Sequence, residues 1–126
     1  MALETEIVTH PDFKAEFDAE RVAYPLYSTS TVVIEPACSA AIDVNIVNIR
    51  LPHGTFGWIM DDKYLIGGGV IDEDYRGVVK VIVINNNNSS MMISRGERVA
   101  FMAIVKYGTA VFMRSEEHTS ELQSQR

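Results

Sequence analysis

The chain has 126 residues, of which 47% are hydrophobic and 22% are charged, so it is long enough for one ordinary domain. Its formal net charge of −6 argues against non-specific binding to nucleic acid, which requires a basic surface. The single cysteine, Cys38, excludes an internal disulfide and a Cys-based zinc site, and we interpret it as structural. No apolar run approaches the roughly 18 residues of a membrane span, and residues 1–10 lack the layout of a signal peptide. We therefore expect a soluble intracellular protein, in the cytoplasm or the nucleus, that binds neither nucleic acid nor membrane.

The two ends of the chain differ in character from its centre. Residues 1–22 are polar and are predicted to form an N-terminal arm, although the spacing of Phe13 and Phe17 also allows a short helix over residues 12–21. Residues 114–126 have no apolar periodicity and resemble a translated sequencing-library adaptor, so we expect a non-native tail in which His118 carries no information. The predicted domain is residues 23–113, and its own C-terminal segment is expected to be missing.

The centre of the chain is a series of short β-forming runs separated by Gly, Pro and Asn. The predicted strands are residues 31–34, 41–51, 55–60, 78–84 and 99–107, with a further short run at 110–112. Such runs at regular spacing predict an all-β sandwich or barrel. The run of Asn and Ser at residues 85–90 predicts a solvated hairpin tip, because Asn tolerates positive φ.

The densest set of polar groups lies in residues 69–77, which read Gly-Val-Ile-Asp-Glu-Asp-Tyr-Arg-Gly. A β-turn between Asp72 and Tyr75 would place both side chains around one small concavity. The carboxylate there can hold a water as general base or accept a sugar hydroxyl, and the ring can stack on a planar ligand. The residues fit equally well a structural turn in which Asp72 caps backbone amides and Tyr75 covers the core.

The same residues resemble the nucleoside-binding hairpin of the dUTPase family, which has the pattern G-x-I-D-x-D-Y-R-G. Residues 23–28, 51–57 and 93–100 are similar, in order, to that family's first motif (A-x-D-L-x-S), the turn into its second motif (L-P-x-G-x-x-G) and its fourth motif (G-D-R-I-A-Q). The resemblance covers residues 21–113. It implies a dUTPase-like jelly-roll (β-clip) domain that assembles as a homotrimer with sites at subunit boundaries.

The resemblance also implies an activity in nucleotide metabolism, the hydrolysis of dUTP to dUMP and pyrophosphate with Mg²⁺ as cofactor, which serves dUMP biosynthesis. By position, Asp72 would hold the attacking water and the sugar 3′-hydroxyl. Tyr75 would lie against the deoxyribose, and the backbone near Gly69 would pair with the uracil edge. The implied ligands are dUTP, dUMP or a related deoxynucleotide.

The chain departs from the family pattern at the phosphate end of the site. Pro25 replaces an acid that supports the metal, Phe101 replaces a glutamine, and the P-R-S-G of the second motif is absent. Lys63 can partly replace the lost arginine, but only as a point charge. The acids at residues 61–62 either form a polar turn or recruit the metal, so no metal ligand is assigned. Since each lost donor is expected to cost about 10²–10³ in rate, we expect weak hydrolysis or none.

A rival hypothesis belongs to a different class, a catalytically inactive dUTPase-like module that binds a nucleotide or a protein. A related dCTP deaminase fits less well, because its arginine-serine motif and catalytic glutamate have no match. We interpret Arg76 and Arg98 as structural or inter-subunit ion-pair residues, His53 as a surface residue, and Trp58 as a core or interface residue.

Overall fold

The computed structural model describes residues 4–115, and its ordered elements are all β-strands, which confirms the predicted fold class. Within residues 4–115 no helix is long and apolar enough to span a membrane. The strands are β1 Glu6–Thr9, β2 Tyr24–Tyr27, β3 Val32–Ile34, β4 Ser39–Asp43, β5 Ile46–Arg50, β6 Thr55–Asp61, β7 Leu65–Gly67, β8 Val70–Ile71, β9 Lys80–Ile84, β10 Met91–Ile93 and β11 Arg98–Lys106.

All strand pairs of the described region are antiparallel, and they form four small sheets. The largest has the order β2-β11-β6-β8, another has the order β4-β9-β7, and two pairs join β1 to β5 and β3 to β10. Strand β11 is the longest and pairs with β6 from Ala100↔Asp61 to Lys106↔Thr55. This register brings the first, second and fourth motifs of the sequence side by side.

One apolar core lies behind these sheets, because alternate residues of each strand point inward. In β9, Val81 and Val83 are fully buried while Lys80 and Ile82 are exposed. The same core takes side chains from β2, β3, β4, β5, β6, β8, β10 and β11. Burying one such Val or Ile side chain contributes roughly 1.5–3 kcal/mol, so the core fixes the strands that carry the polar residues of the loops.

The predicted strand at residues 41–51 is wrong in one respect, because the structure divides it into β4 and β5 with different partners. The break falls at Asn45, which is fully buried rather than facing solvent. Its side chain accepts a hydrogen bond from Tyr27 N at 2.9 Å and donates one to Phe13 O at 3.0 Å. Apolar and polar residues alternate through Asn45, so the sequence pattern does not show the break. The side-chain amide of Asn45 links β2 to the N-terminal segment, and the β-ladder ends there.

Residues 4–22 form no helix, and part of this region joins a sheet. Strand β1 pairs with β5, with Ile7 opposite Ile49. His10 N donates to Asn45 O at 2.7 Å, and this bond holds the segment that follows β1. The alternative of a helix over residues 12–21 is therefore not what the structure shows.

Two further expectations about loops are wrong. Residues 85–90 do not form a hairpin tip, because β9 pairs with β4 and β7 whereas β10 pairs with β3. Residues 85–90 instead connect one sheet to another. The side-chain amide of the buried Asn85 donates to Ile34 O at 2.8 Å and to Ser89 O at 2.9 Å. Residues 110–112 form no strand, and Phe112 is almost fully exposed. The tail prediction falls mainly on residues 116–126, which lie outside the described residues.

Candidate functional site

Residues 69–77 form a strand and a turn but not a two-stranded β-hairpin, because β8 pairs with β6 whereas the next strand, β9, pairs with β4 and β7. We keep the name hairpin for this segment. Strand β8 pairs with β6 through Trp58↔Val70 and Gly57↔Ile71. Tyr75 N donates to Asp72 O at 3.0 Å, which closes the predicted β-turn. Arg76 Nη1 donates to the carbonyl oxygens of Glu73 and Tyr75, at 3.0 and 2.7 Å. Arg76 therefore stabilises the turn through backbone carbonyls and not through the expected ion pair.

Gly69 is the point at which the hairpin backbone approaches β6 most closely. Ile59 N donates to Gly69 O at 2.6 Å, and Gly69 has φ = +131°. A Cβ at this position would lie 2.9 Å from Ile59 O. Only glycine combines that φ with so close an approach, so Gly69 sets the position of the whole hairpin relative to β6.

Two clefts flank the hairpin, and they separate the predicted site residues. A cleft of about 620 Å³ is lined by Leu51, Thr55, Phe56, Val70, Asp72, Glu73, Asp74, Arg76 and Tyr107. A second cleft of about 340 Å³ contains Gly69 and Tyr75, together with residues of β7, β8 and β9. The expectation that Asp72 and Tyr75 share one concavity is therefore wrong. Tyr75 packs against the apolar core with its hydroxyl bound to Val78 O, whereas Asp72 is exposed, so the two side chains line different but adjoining clefts.

Tyr75 is fixed by its hydroxyl group. That hydroxyl donates to Val78 O at 2.6 Å, and the side chain packs against the apolar core. The second cleft also exposes the backbone of residues 67–69 and the side chain of Ile66. The ring of Tyr75 is thus available to a ligand as a flat apolar surface, and its hydroxyl is already engaged.

Asp72 lies in the larger cleft with two neighbouring carboxylates, Glu73 and Asp74. Glu73 is held by two partners, because His53 Nδ1 lies 2.9 Å from its Oε2 and the Tyr107 hydroxyl donates to its Oε1 at 3.0 Å. The hydrogen bond with His53 first, and then that with Tyr107, lowers the pKa of Glu73 below its ordinary value. Asp72 is exposed at the edge of this fixed network and can accept a hydrogen bond or a proton from a ligand or water.

The sequence interpretation missed the roles of Glu73, His53 and Tyr107. His53 and Glu73 are 20 residues apart, and nothing local links them. The pairing of β6 with β11 places Lys106 opposite Thr55, and this brings Tyr107 beside Gly54, the neighbour of His53. Pairing those two predicted strands would have placed Tyr107 near residues 53 and 54, but not Glu73, which lies on neither strand.

The basic residues at the other end of β6 are engaged in ion pairs with acids of the same chain. Lys63 Nζ lies 2.8 Å from Glu97 Oε2, so the candidate phosphate ligand Lys63 is held by a carboxylate. Arg98 Nε lies 2.8 Å from Asp62 Oδ2, which fits the expected ion-pair role of Arg98. Pro25 lies opposite Phe101 in the β2–β11 pair, so this part of the site offers a ring and no oxygen ligand.

The described residues do not fit a magnesium site built from protein side chains. No group of three or more His, Cys, Asp or Glu residues in the described region could hold a metal ion. The carboxylate of Asp62 faces two guanidinium groups, those of Arg98 and Arg21, which would repel a divalent cation. The idea that residues 61–62 recruit the metal therefore has no support in this geometry.

Glu97 makes the loop before β11 sensitive to acid. Burial raises the pKa of Glu97, but the hydrogen bonds with Lys63, Tyr64 and Ser94 N outweigh it and lower this pKa from 4.5 to about 2. The Tyr64 hydroxyl donates to Glu97, and burial together with that bond raises the pKa of Tyr64 to about 12. The stability contributed by Glu97 is therefore fully present above pH 4.5 and is lost as the pH falls toward 2.

We expect Glu97→Gln to lower the urea midpoint of unfolding at pH 7 and to have much less effect near pH 2. The amide keeps the shape of the side chain but loses the charge that binds Lys63. Glu20→Gln removes an exposed carboxyl group of the arm and controls for the change in net charge. An equal loss of stability at both pH values would show that the charge of Glu97 is not what stabilises the loop.

The fold and the hairpin together define an all-β domain with two adjoining clefts, one acidic and one apolar, next to a turn closed by a backbone hydrogen bond. A family model described as dUTPase matches residues 18–126, and the chain belongs to the dUTPase family. It is 36% identical over 84 residues to the deoxyuridine 5′-triphosphate nucleotidohydrolase of Fowlpox virus, a match that covers 61% of this chain and 57% of that protein. The human mitochondrial enzyme of the same name is 35% identical over 89 residues, covering 65% of this chain and 35% of that protein.

The chain spans about half the length of the viral relatives it matches, and less of the human one. Among solved structures, the dUTPase of Staphylococcus bacteriophage 80alpha gives a TM-score of 0.73 at 20% identity, covering 88% of this chain and 94% of that one. The native dUTPase of EIAV gives 0.71 at 22% identity, covering 87% and 92%. These similarities support the jelly-roll fold expected from the resemblance. A mutant dUTPase from phage phi11 of S. aureus, with a TM-score of 0.73 at 19% identity over 88% of this chain and 94% of that one, is reported with a structural Mg(II) ion.

Proposed function

We propose that this protein binds a deoxyuridine nucleotide at the hairpin of residues 69–77 and hydrolyses dUTP to dUMP and pyrophosphate. The observation that carries the proposal is the position of Asp72, an acid presented by a closed turn into a cleft large enough for a nucleotide. Membership of the dUTPase family supports the same substrate class. The structural Mg(II) ion reported for one solved dUTPase supports Mg²⁺ as the ion to supply with the nucleotide.

The proposed nucleotide spans both clefts, which adjoin at Val70, and each hairpin residue has its own role there. Asp72 orients the attacking water and takes up its proton as general base. The ring of Tyr75 supplies a flat apolar surface for the sugar, since its hydroxyl is bound to Val78 O. Gly69 holds the backbone that pairs with the base, because its carbonyl is fixed by Ile59 N.

Pyrophosphate release from dUTP in the presence of Mg²⁺ tests the proposal. We expect release from dUTP and at least about tenfold less from dCTP or UTP. The base of dCTP presents a different edge, which leaves polar groups of the site unpaired, and the 2′-hydroxyl of UTP would meet the apolar ring of Tyr75. Equal release from all three nucleotides would contradict a deoxyuridine site. No release from any of them would contradict hydrolysis.

One observation favours a second function, nucleotide binding without hydrolysis. Lys63 and Arg98 are neutralised by Glu97 and Asp62, and Pro25 offers no oxygen ligand, so the developing phosphate charge has little support. Binding of dUMP without pyrophosphate release from dUTP would select this alternative. Hydrolysis of dUTP would exclude it.

We also propose that the chain assembles as a homotrimer through the outer face of the β2-β11-β6-β8 sheet. Trp58 and Val70 are cross-strand neighbours on this face, and their exposed fractions are 51% and 63%. Phe56 and Met60 flank Trp58 on the same face of β6 and are only partly buried. A contiguous apolar surface of this kind is typical of a protein interface. Trp58 is therefore not a core residue of the single chain.

We expect Trp58→Lys to reduce the mass measured by light scattering from three chains to one. A charge in the centre of an apolar interface is strongly unfavourable when it is desolvated. The half-exposed position of Trp58 should let the single chain remain folded. Val33→Lys changes a similarly exposed apolar residue on β3 and is the matched control. If both changes reduced the mass equally, or if neither reduced it, an interface centred on Trp58 would be contradicted.

A further inference from the structure

One side chain, that of Glu73, joins the turn of the hairpin to two other parts of the fold. His53 Nδ1 lies 2.9 Å from Glu73 Oε2, and the Tyr107 hydroxyl donates to Glu73 Oε1 at 3.0 Å. His53 lies in the connection between β5 and β6, and Tyr107 follows β11. We call Glu73, His53 and Tyr107 the carboxylate bridge. Glu73 and Tyr107 both line the larger cleft, so the bridge forms part of its wall.

The two residues that hold Glu73 are not equally fixed. Tyr107 N donates to Gly54 O at 3.0 Å, and the Tyr107 ring lies against that of Phe56, with the ring centroids 6.4 Å apart. The side chain of His53 is 93% exposed, so water screens its contact with Glu73. Tyr107 is therefore the stronger of the two attachments.

The bridge bears on the site because Glu73 belongs to the turn that carries Asp72. Tyr75 N donates to Asp72 O at 3.0 Å, and Arg76 Nη1 donates to Glu73 O at 3.0 Å. The three consecutive carboxylates repel one another. Within residues 4–115, neither Asp72 nor Asp74 forms an ion pair. Of the three acids, Glu73 is thus the one whose carboxylate ties the turn to the rest of the domain.

We propose that Glu73 is a positioning residue, whose bonds with Tyr107 and His53 fix the Asp72 carboxylate in the larger cleft. This role rests on the proposed function, in which Asp72 orients the attacking water. Loss of the bridge keeps the Asp72 carboxylate but lets the turn move, and a small displacement of a reacting group is costly in rate. Because Glu73 acts through Asp72, it should matter for turnover only while Asp72 is present.

The first readout is pyrophosphate release from dUTP with Mg²⁺ at neutral pH. We expect Glu73→Ala to lower kcat about tenfold and to change KM less than about threefold. Glu73→Gln should recover most of the loss, because its amide accepts from Tyr107 and can donate to a neutral His53. In an Asp72→Asn background, Glu73→Ala should lower kcat less than about twofold, since the group that it positions is already gone.

The second readout is hydrogen exchange of the Tyr75 amide, which bonds to Asp72 O and requires no nucleotide. We expect Glu73→Ala to speed this exchange at least about tenfold. Tyr107→Phe removes a single hydroxyl group and should speed it more than His53→Ala does. Asp74→Ala is the matched control, because it removes the neighbouring carboxylate without touching the bridge, and it should speed exchange less than about threefold.

An unchanged exchange rate in Glu73→Ala, or an equal increase in Asp74→Ala, would overturn the proposal whatever the activity of the chain. In a chain that hydrolyses dUTP, an equal loss of kcat from Glu73→Ala with and without Asp72 would also overturn it. If the unmodified chain releases no pyrophosphate, the proposed function fails, and the exchange rates alone decide whether Glu73 fixes the turn. Tyr107→Phe takes the place of Glu73→Ala in both readouts if thermal melting shows that the alanine variant is unfolded.

Discussion

We expect Asp72→Asn to reduce the kcat for pyrophosphate release from dUTP by at least about 100-fold, with a smaller change in KM. A positioned general base contributes about 10²–10⁴ in rate, and an amide cannot take up a proton from water. The turn should be unaffected, because the Asp72 atom that holds it is the backbone carbonyl that accepts from Tyr75 N. The loss should therefore appear in the chemical step and not in the melting temperature.

Asp74→Asn is the matched control for this experiment. Asp74 lines the same cleft and lies two residues from Asp72, so the change removes an equal charge from the same surface. We expect it to change kcat less than about threefold. If Asp74→Asn lost as much activity as Asp72→Asn, the cleft would act through its general charge. If Asp72→Asn retained full activity, another group would be the base.

We expect Gly69→Ala to lower the free energy of unfolding by about 3 kcal/mol, which corresponds to a fall of roughly 10 °C in Tm for a domain of this size. The φ of +131° is unfavourable for any residue with a Cβ, and that Cβ would lie 2.9 Å from the backbone oxygen of Ile59. Backbone atoms cannot move aside as a flexible side chain can, so β6 and the hairpin must separate. Calorimetric melting of the two proteins measures the effect.

Two other glycines separate the contributions to this loss. Gly68 has φ = +75° with nothing within 4 Å of an added Cβ, so Gly68→Ala should show only the backbone strain of about 1–2 kcal/mol. Gly108 has neither a positive φ nor a close neighbour, and Gly108→Ala should be nearly neutral. A loss at Gly69 no larger than that at Gly68 would show that the contact with Ile59 is relaxed at little cost.

Much of the fold could be predicted from the sequence, because its strands carry local signals. In β6, β9 and β11 the residues are apolar or alternate between apolar and polar, and Gly, Pro or Asn residues flank the strands. The ends of these three strands lie within two residues of the predicted bounds. The turn at Asp72 is equally predictable, since Asp is one of the residue types that favour turns. The family could be identified because those local patterns are also its motifs.

Most of the failures have long-range causes, because distant hydrogen bonds and core packing overrode local preference. Their residue type predicts that Asn45 and Asn85 face solvent. Both are buried, because their side-chain amides form hydrogen bonds with backbone groups 18 to 51 residues away. The pairing of Asp62 with Arg98 spans 36 residues and has no local signature. The separation of Asp72 from Tyr75 also follows from packing, since the core holds the Tyr75 ring on one side of the hairpin.

The central claim is that residues 67–77 form the binding surface for a deoxyuridine nucleotide. Titration of ¹⁵N-labelled protein with dUMP, followed by amide chemical shifts, tests it most directly, because it reports where the ligand binds without requiring turnover. We predict that the largest shifts fall on residues 67–77, and that UMP produces at least about tenfold weaker binding. Shifts confined to another surface, such as the crossover at residues 85–90, or no shifts with dUMP, would contradict the account.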